Sequence, residues 1–168
     1  MKKILFILLC SLSIQGCGIY SFSGISTTAE SFQVNFFQNY ASQSPGSTFE
    51  PGLDRDFTNA LQDQITGLSS LVLSNDNADL TYEGEITEYR VSPMTATANQ
   101  TAAQNRLTMT VKVRFYNKIK EDDDFEQSFS FFYDFDANQL LESVKSEAHD
   151  VLFERITQDI FNASLAKW

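Results

Sequence analysis

Cysteine is nearly absent from this chain, and both copies, Cys10 and Cys17, fall within the first seventeen residues. The rest of the chain therefore has no thiol pair for a disulfide framework and no cysteine metal site. Histidine is rarer still, with His149 alone. A zinc site needs several convergent ligands, and a nucleophile needs both a base and a group to orient it. One imidazole cannot supply either set. His149 also follows Ala148 and precedes Leu152 on a helical pattern, so it reads as an ordinary helix-face residue. There is no Gly-x-Ser-x-Gly elbow and no glycine-rich phosphate loop. Asp122, Asp123 and Asp124 are adjacent but lack the spaced ligands and glycine of a calcium loop, so they read as a solvated hairpin tip. These absences argue against an enzyme and predict neither cofactor nor metal. Positive charge is also scarce, at 12 Lys and Arg against 22 Asp and Glu. That balance excludes a nucleic-acid binder and adhesion to an anionic membrane by bulk charge.

Phenylalanine is abundant, at 15 residues, beside 6 Tyr and one Trp. Aromatic side chains bury large areas and also favour interfaces. The N-terminus is distinctive as well. Met1-Lys2-Lys3 is followed by an apolar run from Ile4 to Ile14, too short to span a bilayer as a helix. The run ends in Gln15-Gly16-Cys17, which looks like a bacterial lipoprotein signal with Cys17 as the acylated first residue of the mature protein. The competing reading is an ordinary secretory signal that leaves a free thiol. Cleavage before Cys17 removes Lys2 and Lys3 and leaves 152 residues with a net charge of −12. That length is enough for one domain with its own core. No acidic run follows Cys17, which favours a protein facing the periplasm.

The hydropathy pattern predicts a strand over 30–37, with Phe32, Val34 and Phe36 on one side and Phe37 on the other. A polar loop follows at 41–52. Leu53, Phe57, Leu61 and Ile65 then recur every fourth residue, a helix with one buried face. Leu71-Val72-Leu73 is a short strand candidate. Leu80 to Val91 is a longer strand whose alternation breaks at Tyr89, which predicts a bulge. Gly84 inside it predicts close backbone approach or a bend. A polar loop at 92–104 separates it from a regular strand, Leu107 to Phe115. A hairpin turn at 117–124 leads to a last strand, Phe125 to Phe135. A long helix runs from about Gln139 to Ala166. The expected fold is α+β, a two-layer sandwich of a mainly antiparallel sheet of about four strands covered by two helices.

Arg106, Lys112, Arg114, Lys118 and Lys120 gather five of the basic residues within fifteen positions. Lys112 and Arg114 share the face of their strand opposite its apolar side. Two uses are open to them. They can meet anionic groups of a ligand, or they can pair across strands with Glu83, Glu85 or Glu126. Aromatics on both strand faces, with Phe37, Tyr116 and Phe132 opposite the main set, point either to a partner on the second face or to local packing under a loop.

Several stretches taken together resemble the LptE family, the lipopolysaccharide-assembly lipoproteins of the outer membrane. They are Gly16-Cys17-Gly18-Ile19-Tyr20-Ser21-Phe22-Ser23-Gly24; Leu80-Thr81-Tyr82-Glu83-Gly84-Glu85-Ile86 with Tyr89 and Pro93; Asn105-Arg106-Leu107-Thr108 through Val111-Lys112-Val113-Arg114-Phe115; Phe125-Glu126-Gln127-Ser128-Phe129; and Asp159-Ile160-Phe161-Asn162 ending in Trp168. The resemblance implies a small fold of two helices on a four-stranded sheet, anchored by lipid (palmitate among the acyl chains) to the inner leaflet of the outer membrane. It implies a plug inside the large LptD β-barrel that supports barrel assembly and delivery of lipopolysaccharide to the cell surface. It also implies lipopolysaccharide contact through basic side chains, but no family motif fixes their positions here. Arg106, Lys112, Arg114, Lys118 and Lys120 are candidates from charge and strand parity alone. The expected organisation is a signal peptide at 1–16, a lipid-anchored segment at 17–30 and one α/β domain at 31–168. The alternative is a stand-alone periplasmic lipoprotein that binds a lipid or peptide in an apolar pocket.

Overall fold

A computed structural model describes residues 27–94 and 103–166, so Cys17, the signal segment and residues 95–102 lie outside the described residues. The elements in chain order are β1 (Ser31–Val34), β2 (Gln38–Asn39), α1 (Leu53–Leu68), β3 (Val72–Leu73), β4 (Leu80–Met94), β5 (Gln104–Asn117), β6 (Phe125–Asp136) and α2 (Leu141–Ser164). Single 3₁₀ turns occupy Ala41–Gln43 and Glu121–Asp123. The fold is mixed α+β and has, among the described residues, two helices and one six-stranded sheet in the order β3-β1-β4-β5-β6, β2 pairing with β4 beside this path. The sheet therefore has more than the expected four strands. The additional strand is β2, two residues too short for a period to be read, whereas β3 falls within the short candidate Leu71-Val72-Leu73.

The central strands follow from alternation. On β5, Leu107, Met109, Val111, Val113 and Phe115 are fully buried and the residues between them are not. β4 and β6 pair antiparallel with β5 along nearly their whole lengths. The register of β4 slips between Ile86 and Glu88, the bulge expected from the broken alternation. It returns Tyr89 to the buried side. At Gly84 a Cβ would stand 2.0 Å from the Lys112 carbonyl oxygen and 2.8 Å from the Phe37 ring, so only glycine fits. Both strands also run past their predicted ends, to Met94 and from Gln104, into the stretch expected to be loop.

β1 is parallel to both its neighbours, β3 and β4. It ends at Val34, three residues before its predicted end. Phe37 accordingly leaves the alternation. It is not on the second face of the sheet but fully buried, its N–H donating to Thr58 Oγ1 (3.1 Å) and its ring edge-on to Phe57 at 5.2 Å. Asp79 fixes the start of β1. Its carboxylate accepts hydrogen bonds from the Glu30 N–H (2.9 Å), the Ser31 N–H (3.1 Å) and the Ser31 hydroxyl (3.0 Å). These donors, the Glu30 amide foremost, hold its pKa below the ordinary carboxylate value.

α1 begins after Gly52, whose φ of 80° suits glycine, and carries Asp54 and Asp56 in its first turn, where the helix dipole favours negative charge. Leu53, Phe57, Leu61 and Ile65 form its buried stripe, as the spacing predicts. α2 has 24 residues, slightly fewer than expected, and buries Val144, Ala148, Leu152, Ile156 and Ile160. Phe57 meets Phe153 edge-on at 5.8 Å, joining the helices. Tyr82 donates to Ser164 Oγ at 2.9 Å, and the Tyr89 hydroxyl lies 2.9 Å from His149 Nε2, joining α2 to β4. Side chains from both helices and from β1, β4, β5 and β6 form one continuous apolar cluster. Each fully buried large side chain there contributes on the order of 2 kcal/mol.

Candidate functional site

The strand residues that alternate with the core form a polar face across β4, β5 and β6. Arg106, Lys112 and Arg114 stand on it at positions of the same parity along β5, each opposite a carboxylate on a neighbouring strand. Arg106 grips Asp134 with two hydrogen bonds of 2.7 Å and lies 3.5 Å over the Phe132 ring. Lys112 pairs with Glu126, which lowers the Glu126 pKa. Arg114 reaches Glu83 at 3.0 Å and Glu85 at 3.3 Å. The carboxylates stabilise the charged form of both arginines and push their pKa values up. Arg90 pairs with Glu88 at 2.7 Å, and Thr110 donates to the same Glu88.

Lys118 and Lys120 are elsewhere, in the hairpin beyond β5. Lys118 donates to Asn77 Oδ1 (3.0 Å) and Lys120 pairs with Asp123 (3.0 Å). The five basic residues thus do not make one patch. Three are laid into the sheet face and two sit at its end. Four cations (Arg90, Arg106, Lys112, Arg114) meet five carboxylates (Glu83, Glu85, Glu88, Glu126, Asp134), so these paired groups nearly cancel, and Asp136 at the end of β6 adds one further negative charge. The cross-strand use of Lys112 and Arg114 is the one realised in the isolated chain.

The sequence reading missed Asp134 and Phe132 as the surroundings of Arg106. The signal was present in the hairpin. A turn centred near residue 120 sets the register and places 106 opposite 134. Phe132 and Tyr116 do stand on this second face, 41% and 42% exposed.

His149 belongs to the other side of the molecule. It lines an open groove of about 370 Å³ between the helices, with Asp56, Asn59, Asp63, Asp150 and Phe153. Partial burial lowers its pKa. Among the described residues, no group of three or more His, Cys, Asp or Glu is placed to hold a metal ion. The aspartates at the hairpin tip serve the turn: Asp124 accepts the Asn117 N–H at 2.7 Å. No helix of the described residues is long and apolar enough to cross a membrane.

Among the solved structures that resemble this chain are three from different bacteria. A minor lipoprotein from Acinetobacter baumannii is 14% identical, with 84% of this chain and 100% of that one covered and a TM-score of 0.49. The hypothetical protein CT253 from Chlamydia trachomatis is 9% identical, with coverage of 83% and 99% and a TM-score of 0.52. Rare lipoprotein B from Shewanella oneidensis is 10% identical, with coverage of 78% and 89% and a TM-score of 0.47. The likeness to the Chlamydia trachomatis protein, at 9% identity and a TM-score of 0.52, is one of fold alone. No curated protein matches the chain. The family model for lipopolysaccharide assembly, LptE, matches residues 29–164, from just before β1 to the end of α2. The chain therefore belongs to the LptE lipopolysaccharide-assembly family.

Proposed function

We propose that this protein is a non-enzymatic outer-membrane lipoprotein, the plug and assembly partner of an LptD-type β-barrel in the transport and insertion of lipopolysaccharide at the cell surface. The family match over residues 29–164 carries the reading. Two physical features support it. A barrel lumen is polar, and the face of β4, β5 and β6 is polar with paired charges that nearly cancel, so it can exchange hydrogen bonds with such a wall. Among the described residues, side chains of strands and helices meet in one continuous core, which suits a plug. In this reading the helices form one layer and the sheet the other. Residues 1–16 are removed, Cys17 is acylated, residues 17–30 tether the domain, and 31–168 form it. More than one acyl chain on Cys17 gives stable attachment.

Lipopolysaccharide contact by Arg106, Lys112, Arg114, Lys118 or Lys120 requires an exchange of partners. A lipid phosphate must take the cation from Glu83, Glu85, Glu126, Asp123, Asp134 or the Asn77 amide. Lys112→Gln with Arg114→Gln is expected to weaken binding of lipopolysaccharide to the folded domain, and unchanged binding leaves these residues to the sheet. The whole reading is tested by affinity purification from detergent-solubilised envelopes, with mass spectrometry of the Cys17 peptide. Recovery of the barrel with an acylated Cys17 is the expected result. A lipoprotein that never brings down a barrel would remove the proposal.

A further inference from the structure

The two edges of the sheet are protected very differently. One ends in β3, a strand of two residues. The other ends in β6, twelve residues long, paired with β5 on one side in unbroken register. Among the described residues no strand lies on its other side. In such a strand about half of the backbone N–H and C=O groups face outward. Sheet proteins ordinarily blunt a long free edge with proline, lysine or a bulge. β6 reads Phe125-Glu126-Gln127-Ser128-Phe129-Ser130-Phe131-Phe132-Tyr133-Asp134-Phe135-Asp136 and has none of these three; the charges it does carry are all acidic, Glu126, Asp134 and Asp136, and so repel only an acidic strand.

We infer that β6 is a docking edge that accepts an extended segment of another protein chain, added as a further strand and carrying Lys or Arg at alternate positions. Charge selects this occupant. β6 itself has three carboxylates, Glu126, Asp134 and Asp136, and no cation; Lys112 and Arg106 of β5 engage the first two, and among the described residues no ion pair holds Asp136, so this row keeps a negative excess. A second copy of the chain is disfavoured. Symmetric antiparallel pairing about an axis through the sheet keeps like faces together. In the two such registers of fullest overlap, Glu126 of each copy stands opposite Asp134 or Asp136 of the other. Like charges directly opposite each other destabilise a strand pair, and opposite charges stabilise it. A place for a side chain also exists beside the edge. An open groove of about 280 Å³ is lined by Phe131 of β6 and by Val151, Glu154, Arg155 and Gln158 of α2. It can seat one apolar residue from the buried-side set of the added strand. Main-chain bonds then supply affinity, and alternate side chains supply selectivity.

The inference does not depend on the barrel reading, and its test is independent of co-purification. The probe is a synthetic peptide of about ten residues alternating lysine and valine. Its counterpart replaces each lysine with glutamate. Amide hydrogen exchange is followed residue by residue in the full chain, held in detergent. At about ten times its Kd, the lysine peptide is expected to slow exchange of alternate β6 amides about tenfold, and the glutamate peptide is expected to leave them unchanged. Ser128→Lys with Ser130→Lys, which keeps exposed positions and adds like charge, should abolish the effect while the circular dichroism stays that of the parent. Protection elsewhere, equal action of both peptides, or an undiminished effect in the double variant would overturn the inference. So would β6 amides already protected without peptide. In that case a doubled mass assigns the edge to a second copy, and a monomer mass assigns it to a segment of the chain itself.

Discussion

On one face of β5, Leu107, Met109, Val111, Val113 and Phe115 are fully buried, whereas on the other Arg106, Lys112 and Arg114 reach carboxylates on the neighbouring strands. The same strand is thus held by area removed from water on one side and by exchangeable ion pairs on the other. The first is worth on the order of 2 kcal/mol per side chain. Partly exposed ion pairs are typically worth about 0.2–1 kcal/mol each. The difference teaches a division of labour. The apolar face fixes the fold and tolerates little change. The polar face contributes so little to stability that its side chains remain available to another surface.

That contrast breaks most visibly when the two faces receive the same substitution one residue apart. Leu107→Asp places an unpaired carboxylate in the core, and the domain should show no cooperative thermal transition by circular dichroism. Thr108→Asp, on the outer side of the same strand, should melt within a few degrees of the parent, at a cost of about 0.5 kcal/mol. Next in size is Gly84→Ala. The added methyl group meets the Lys112 carbonyl rather than a movable side chain, so urea unfolding should report a loss of about 3 kcal/mol or more. Tyr82→Phe sharpens the comparison within the core. It deletes the hydroxyl bound to Ser164, which keeps its own bond to the Ile160 carbonyl, and should cost about 1 kcal/mol in the same measurement. An effect as small as that of Thr108→Asp is expected from Arg114→Ala, below about 1 kcal/mol and diminishing further as salt is raised. An Arg114 loss as large as that of Gly84→Ala would end the division between the faces.

The regular parts of the fold were legible where a period had room to repeat. The stripe from Leu53 to Ile65 and the alternation from Leu107 to Phe115 each run several cycles. Gly84 and the break at Tyr89 also announced a close approach and a bulge. β2 was not legible, because two residues contain no period. Phe37 was misplaced because parity holds only while the strand lasts, and β1 stops three residues earlier. The candidate basic residues were correctly assigned to a face in the case of Lys112 and Arg114, but charge alone could not decide who answers them. That depends on strand register, a long-range property. The hairpin register would have paired Arg106 with Asp134, whereas Arg114 depends on the β4 pairing across the 95–102 connection, which no turn motif specifies.

The bonds of Asp79 acquire a mechanical meaning at this point. The carboxylate grips the backbone at Glu30 and Ser31, where the described chain enters the sheet, and β1 continues from there between β3 and β4. A tug along the strand axis from the N-terminal side therefore loads both ladders of β1 and the Asp79 clamp together, in shear, instead of opening rungs one at a time. In the proposed tethered form the load would enter at this clamp, so strain in the leading segment should stop at Ser31 rather than travel into the core.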